Sequence, residues 1–300
     1  MSDAVITMTP EEKAAVAAMR KKPLVAWPTV LLMLFSQVTL VLVWYGVLTD
    51  QLSLGIGCMI TVVAYYTKFT PAHDSMHKAV SSKSWINEWV LIQTSFFYVP
   101  LTTGKLLGLM HMQHHRFAND TLDPDHDLVS HWYNALFLWF FWDFRYIYVY
   151  LKNRQFYPNI DMTRVLAELV VGLSIVGVVA WFFPMEVLFL WFIPSRIMVW
   201  LICLVFMYLP HVPHTYIDKD APYQATLIRE GLEWLMTPIM MYQNYHLAHH
   251  LYPTVPFYRY KKVWQAAERY HESHHPAKVK AFGLNPYNLP AMPAHSLETV

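Results

Sequence analysis

Charge is what this sequence has least of. Only 14% of its 300 residues are Asp, Glu, Lys or Arg, against about 25% in a typical soluble chain. That is too little charge to coat a soluble globule of this size, so the expectation is a chain embedded in a membrane. Neither sign predominates, since the formal net charge is +1. A near-neutral chain gives no electrostatic case for a nucleic-acid partner. Cysteine is almost absent as well: Cys58 and Cys203 both lie in apolar runs. Two are too few for a disulfide framework or a thiolate iron–sulfur site, and both read as core residues.

What is present begins with long uncharged runs. Residues 24–49 and 51–67 contain no Asp, Glu, Lys or Arg, and Asp50 divides them. A membrane span needs about 20 apolar residues, so the pair reads as a helical hairpin. A second hairpin follows at 169–185 and 187–210, divided by Phe-Pro-Met-Glu at 183–186. Arg196 is the one charge inside the last run. Starting that helix after Pro194, with Ser195 as N-cap, moves Arg196 to the membrane edge, where charge costs less. The expected fold is an all-α integral membrane protein of four transmembrane helices in two hairpins. It reads as one domain over 1–300, with a leading segment 1–23 and a tail 258–300. The run beyond Lys22 is too long for a signal-peptide core, and Thr9-Pro10 reads as the capped start of a short helix before it.

Lys and Arg orient the hairpins. The four basic residues of the leading segment precede the first run, neither hairpin turn carries one, and nearly all the others fall in 78–164 and 219–280. Those segments and both termini therefore belong on the cytoplasmic side. Two further stretches, 86–109 and 131–151, are apolar or aromatic without reading as spans. The density of Trp, Tyr and Phe in the second suits helices lying in the headgroup interface.

Histidine, at sixteen residues, is the outlier. HDSMH (73–77) follows the second run and HMQHH (111–115) lies in the cytoplasmic segment. LPHVPH (209–214) ends the fourth run, and HLAHH (246–250) lies in the cytoplasmic C-terminal part. The topology brings all four to one membrane face. Spacings of i,i+3 and i,i+4 put two or three imidazoles on one face of each helix, and imidazole suits Fe, Zn, Cu and Ni. One metal cannot use eight or more imidazoles; two can. A fifth cluster, HESHH (271–275), shares the spacing but lies beyond the apolar part of the chain and reads as a solvated helix end. A membrane metal transporter is the reading from another class, but it calls for ionisable groups at mid-membrane. A haem protein needs only one or two axial histidines.

HDSMH, HMQHH and HLAHH resemble the three histidine boxes of the membrane fatty acid desaturase superfamily. The resemblance runs from the first span to about Tyr260. Within the superfamily, HLAHHLYPTVPFYRY and NDTLDPDHD are most similar to bacterial-type carotenoid ring hydroxylases and ketolases. The resemblance implies an O₂-activating di-iron centre that attacks an unactivated C–H bond of a long apolar lipid. The implied ligands are His73, His77, His111, His114, His115, His246, His249 and His250. A further ligand is implied near the end of the fourth span; His214 is preferred and His211 is the other candidate. Metal-bound histidines need a partner on the other ring nitrogen, and Asp74, Asp123, Asp125, Asp127 and Asn244 are the candidates. Hydroxylation and desaturation both draw two electrons from outside, so a separate ferredoxin or cytochrome-type donor is implied.

Overall fold

The structure, a computed structural model, describes residues 6–95 and 102–289. Parts of the stretch 86–109, of the leading segment and of the tail fall outside the described residues.

Helix α1, Pro10–Arg20, opens as its sequence signals. Thr9 Oγ1 accepts the Glu12 N–H, and the Glu12 carboxylate accepts the Thr9 N–H at 2.8 Å. This reciprocal capping box satisfies two otherwise orphaned donors. Val16 of α1 packs with Tyr260 and Val263.

Helices α2, Trp27–Leu48, and α3, Leu54–Met76, pack against each other as a hairpin. At the turn, Gly46 O accepts the N–H groups of Gln51 and Leu52, and Ser53 caps α3. Leu31, Phe35, Val38, Val41 and Leu42 of α2 are all exposed. A stripe of that size on a helix of this length suits hydrocarbon rather than water.

The middle of the chain runs through α4, Ser84–Ser95, and α5, Gly104–Phe117, then a turn α6, His126–Val129. Gly104 is needed where α5 begins beside α4, because a Cβ there would meet Ser95 Oγ at 2.3 Å. Two 3₁₀ turns, Trp132–Leu136 and Leu138–Phe140, lead into α7, Trp142–Asn153. Trp142, Tyr146, Val149 and Tyr150 of α7 face the core, while Phe144, Tyr148 and Leu151 are exposed. Both faces are therefore largely apolar.

Helices α8, Met162–Phe182, and α9, Pro184–Tyr208, follow. With α2 they are the three helices among the described residues that are long and apolar enough to cross a membrane. The second expected span, α3, has the length but not the apolarity: beyond Ala64 it carries Tyr65, Tyr66, Lys68, His73 and Asp74.

Two expectations are corrected. Helix α9 starts at Pro184, without a break at Ser195, so Arg196 lies in mid-helix rather than at an edge. Its charge is neutralised there by a bidentate pair with the buried Asp143 of α7, at 2.9 and 2.8 Å, and its Nη1 also donates to Phe140 O at 2.8 Å. A fork-to-fork pair backed by a further hydrogen bond is a form in which a buried charge is tolerable. The fold is also not purely helical. Strand β1, Leu227–Glu230, pairs in parallel with β2, Ala277–Lys280. Ala277–Lys280 alternates apolar and polar residues but Leu227–Glu230 does not, and four residues are the shortest run in which alternation signals a strand. The connection between them carries the third histidine box, HLAHH, so the small sheet fixes both ends of that excursion.

Candidate metal centre

His73 and His77 sit one turn apart at the end of α3, where His77 is the C-cap. His111, His114 and His115 line the last two turns of α5. His246, His249 and His250 occupy a short helix, His246–Leu251. That helix is launched by a sharp reversal in which Met241 and Tyr242 adopt positive φ, followed by a 3₁₀ turn Gln243–Tyr245.

The structure sorts these side chains into two groups. One candidate donor atom from each of His73, His77, His111, His115 and His249 lies within 4.8 Å of the others, and the same holds for His114, His211, His246 and His250. In the first group, His77 Nε2 is 2.7 Å from His111 Nε2, and His249 Nε2 is 2.9 Å from His115 Nε2. In the second, His211 Nε2 is 3.2 Å from His114 Nε2 and 3.0 Å from His246 Nε2, and His250 Nε2 is 3.1 Å from His246 Nε2. The groups are neighbours, with the rings of His115 and His250 stacked at 4.2 Å.

This arrangement explains the repeated H-x-x-H-H. On α5 the i,i+4 pair His111 and His115 enters the first group, and His114 enters the second. On the short helix the roles exchange: His246 and His250 enter the second group, and His249 enters the first. Adjacent helical residues point about 100° apart, so each histidine doublet reaches both groups.

The residues fit metal ions. Among the described residues, neither group contains a thiolate or carboxylate; all nine donors are imidazoles. Buried ring nitrogens without a protein partner include both of His73, both of His214, and Nδ1 of His211 and of His249. Buried polar atoms are seldom left so, and of these the His73 nitrogens lie within a group where a bound cation would satisfy one of them. Burial pushes His111, His115, His211, His246, His249 and His250 well below the usual imidazole range. They are therefore neutral, the form that binds metal. His114 is the exception. Burial disfavours its charge too, but the charge and hydrogen bond of Asp123, with Asp125 and Asp218, outweigh that and raise it to about 9, so a metal ion binding its Nε2 would displace a proton there while Nδ1 keeps the one shared with Asp123.

The fatty acid desaturase family model matches residues 51–280. The chain belongs to the fatty acid desaturase family. Its histidine clusters are consistent with a di-iron site, as is typical of that family. No curated protein matches the chain.

The supporting residues follow the sequence reading in part. Asp123 lies 3.0 Å from His114 Nδ1, and Asp125 lies 3.6 Å from the same atom while accepting the Tyr146 hydroxyl at 2.8 Å. Asp74 touches no histidine nitrogen. It accepts Thr29 Oγ1 at 2.8 Å and the Phe257 N–H at 3.1 Å, which ties α2 and α3 to the chain after the third box. Asp127 pairs with Arg145 near the surface. Asn244 donates to Thr237 Oγ1 at 3.1 Å. The histidine partner in that turn is its neighbour Gln243, whose Oε1 is 2.5 Å from His246 Nδ1. Gln243 went unrecognised in the sequence; its signal was its place three residues before a box histidine.

His211 joins the second group and His214 does not, the reverse of the sequence preference. The two lie on a tight turn rather than a helix, where the His214 N–H donates to His211 O at 2.6 Å. His214 takes φ 64°, and its ring lies 5.1 Å from that of Tyr208.

HESHH contributes nothing to either group. Its letters also spell H-E-x-x-H, a zinc-site pattern that requires both histidines on one helical face. Here the helix ends at Glu272 and His275 takes φ 51°. The expectation of a solvated helix end is corrected for one residue. His271 is fully buried against Trp264, with Tyr223 Oη at 3.1 Å from Nδ1 and Tyr252 Oη at 3.3 Å from Nε2.

Proposed function

We propose that this chain is an O₂-dependent membrane oxidoreductase that attacks an unactivated C–H bond of a long apolar lipid at a pair of irons. The observation that carries the proposal is the division of nine imidazoles into neighbouring groups of five and four. His73, His77, His111, His115 and His249 would hold one iron, and His114, His211, His246 and His250 the other. His214 stays outside both. Bound there, the two irons supply O₂ activation and removal of hydrogen from carbon, using two electrons from an external ferredoxin or cytochrome-type donor.

The chain's own residues supply the setting. The buried groups keep bulk water from the reacting carbon. Asp123 and Gln243 fix the ring orientation of His114 and His246. Asp74 holds the box-one helix against the chain that follows box three. The imidazoles gather at one end of the apolar helices rather than midway along them, which favours an enzyme over a metal transporter.

The membrane topology we propose is four spans in two hairpins, with α3 as the second span. At about 1.5 Å per residue, its 23 residues reach about 35 Å. Its polar last turns then emerge with the histidines at the cytoplasmic face, where the Lys and Arg distribution also puts both termini. Residues 132–153, with aromatics exposed on one side, lie in the interface. Residues 1–300 act as one unit.

Within this reaction class we prefer hydroxylation of a carotenoid-like ring to desaturation of an acyl chain. The preference rests on the likeness of HLAHHLYPTVPFYRY and NDTLDPDHD to the ring hydroxylases; the family's name supports the second reading. The test is a pigment and lipid profile of cells with and without the chain, supplied with a reductase system. A new oxygenated pigment is expected. New acyl double bonds with unchanged pigments would overturn the ring preference.

A further inference from the structure

We propose that the two iron positions are inequivalent by construction, with Asp123 and Gln243 acting as positioning residues for the iron of the four-histidine group alone. This rests on the di-iron reading above. Both residues reach Nδ1 of a second-group histidine: Asp123 that of His114 at 3.0 Å, and Gln243 that of His246 at 2.5 Å. Each offers an oxygen that can only accept, so Nδ1 carries the proton and the lone pair on Nε2 faces the group. Those Nε2 atoms are the ones that converge on His211 Nε2, at 3.2 and 3.0 Å.

The carboxylate is held rigidly. Asp123 is buried and accepts the backbone N–H groups of Asn119 and Asp125, both at 2.9 Å. A second carboxylate, Asp125, stands 3.6 Å from the same His114 nitrogen and is steadied by Tyr146. Negative charge therefore backs one ligand of one group. The five-histidine group is built differently. His73 has no hydrogen-bond partner on either nitrogen and Nδ1 of His249 has none, whereas Nδ1 of His211 is the one buried ring nitrogen of the four-histidine group left without a partner. Among the described residues, the only carboxylates clustered with any box histidine are Asp123 and Asp125, around His114.

A carboxylate behind a ligating imidazole raises its basicity and fixes its tautomer, and losing such a partner typically weakens metal binding by about 10–100-fold. The effect of Asp123→Asn should therefore fall on one iron of the two. The experiment loads purified full-length protein with ⁵⁷Fe²⁺ and challenges it with a chelator. Iron per chain is then counted, and the Mössbauer spectrum is recorded. The wild type should give two quadrupole doublets of equal area. Asp123→Asn should release one iron about 10–100-fold more readily, with one doublet fading and the other unchanged. The retained iron is an internal control for folding. Gln243→Ala, on a different segment, should deplete the same doublet. Equal loss of both irons in the two variants, or unchanged retention of both, would overturn the inequivalence alone. A wild-type chain that takes up no iron would overturn the di-iron reading and this inference with it.

Discussion

HLAHH at 246–250 and HESHH at 271–275 carry histidines at the same spacing, and both lie in the C-terminal third of the chain. The first has a helix of its own, His246–Leu251, that continues past the last histidine, so its three rings fan out to two metal-sized groups. The second breaks at Glu272, and its rings disperse. His271 turns inward among Tyr223, Tyr252 and Trp264, and His274 Nδ1 donates to Tyr270 O at 2.9 Å. Equal spacing thus gives unequal chemistry. A ligand set requires helix continuity through the motif and other elements converging on the same point. HLAHH meets α3, α5 and the turn after α9; HESHH meets aromatic side chains.

The sharpest way to break this contrast is to remove one ring from each cluster. His249→Ala should abolish activity and strip iron, while the chain still inserts in membranes; full activity would rule out the ligand assignment. The variant His211→Ala should behave in the same way and His214→Ala should retain iron, which an iron count on both would check. A smaller effect is expected at the positioning level, where Gln243→Ala should weaken one iron by about 10–100-fold, read by chelator competition. His271→Ala should leave iron untouched. It should instead lower stability by about 1–3 kcal/mol, because two buried tyrosine hydroxyls lose their partner, and a thermal melt of the detergent-solubilised protein reads this. The smallest effect belongs to His274→Ala, expected to stay within about 0.5 kcal/mol and to keep full iron. Iron loss there would erase the distinction between the two clusters.

The sequence carried the parts of this architecture that depend on local pattern. The α1 cap is spelled by Thr9, Pro10 and Glu12, and the breaks between long helices by Asp50 and the Phe-Pro-Met-Glu stretch. The boxes are spelled by histidine spacing, because a helix converts spacing directly into direction. What stayed hidden depends on partners distant in sequence. The burial of Arg196 is invisible because Asp143, which neutralises it, is remote in the chain and on another helix. The burial of His271 is invisible because Tyr223 and Tyr252 come from elsewhere. His211 and His214 are indistinguishable in sequence because a proline-rich turn has no fixed period, so spacing says nothing about direction. Gln243 is not legible as a histidine partner because the phase of a one-turn helix is set by the reversal at Met241 and Tyr242.

Nine imidazoles in two groups are proposed to hold two irons. Metal analysis of the purified full-length protein, set beside His249→Ala prepared in the same way, tests this most directly. About two irons per chain are expected in the first and a clear loss in the second. A wild-type chain that binds only zinc or copper, or an iron content unaffected by His249→Ala, would contradict it.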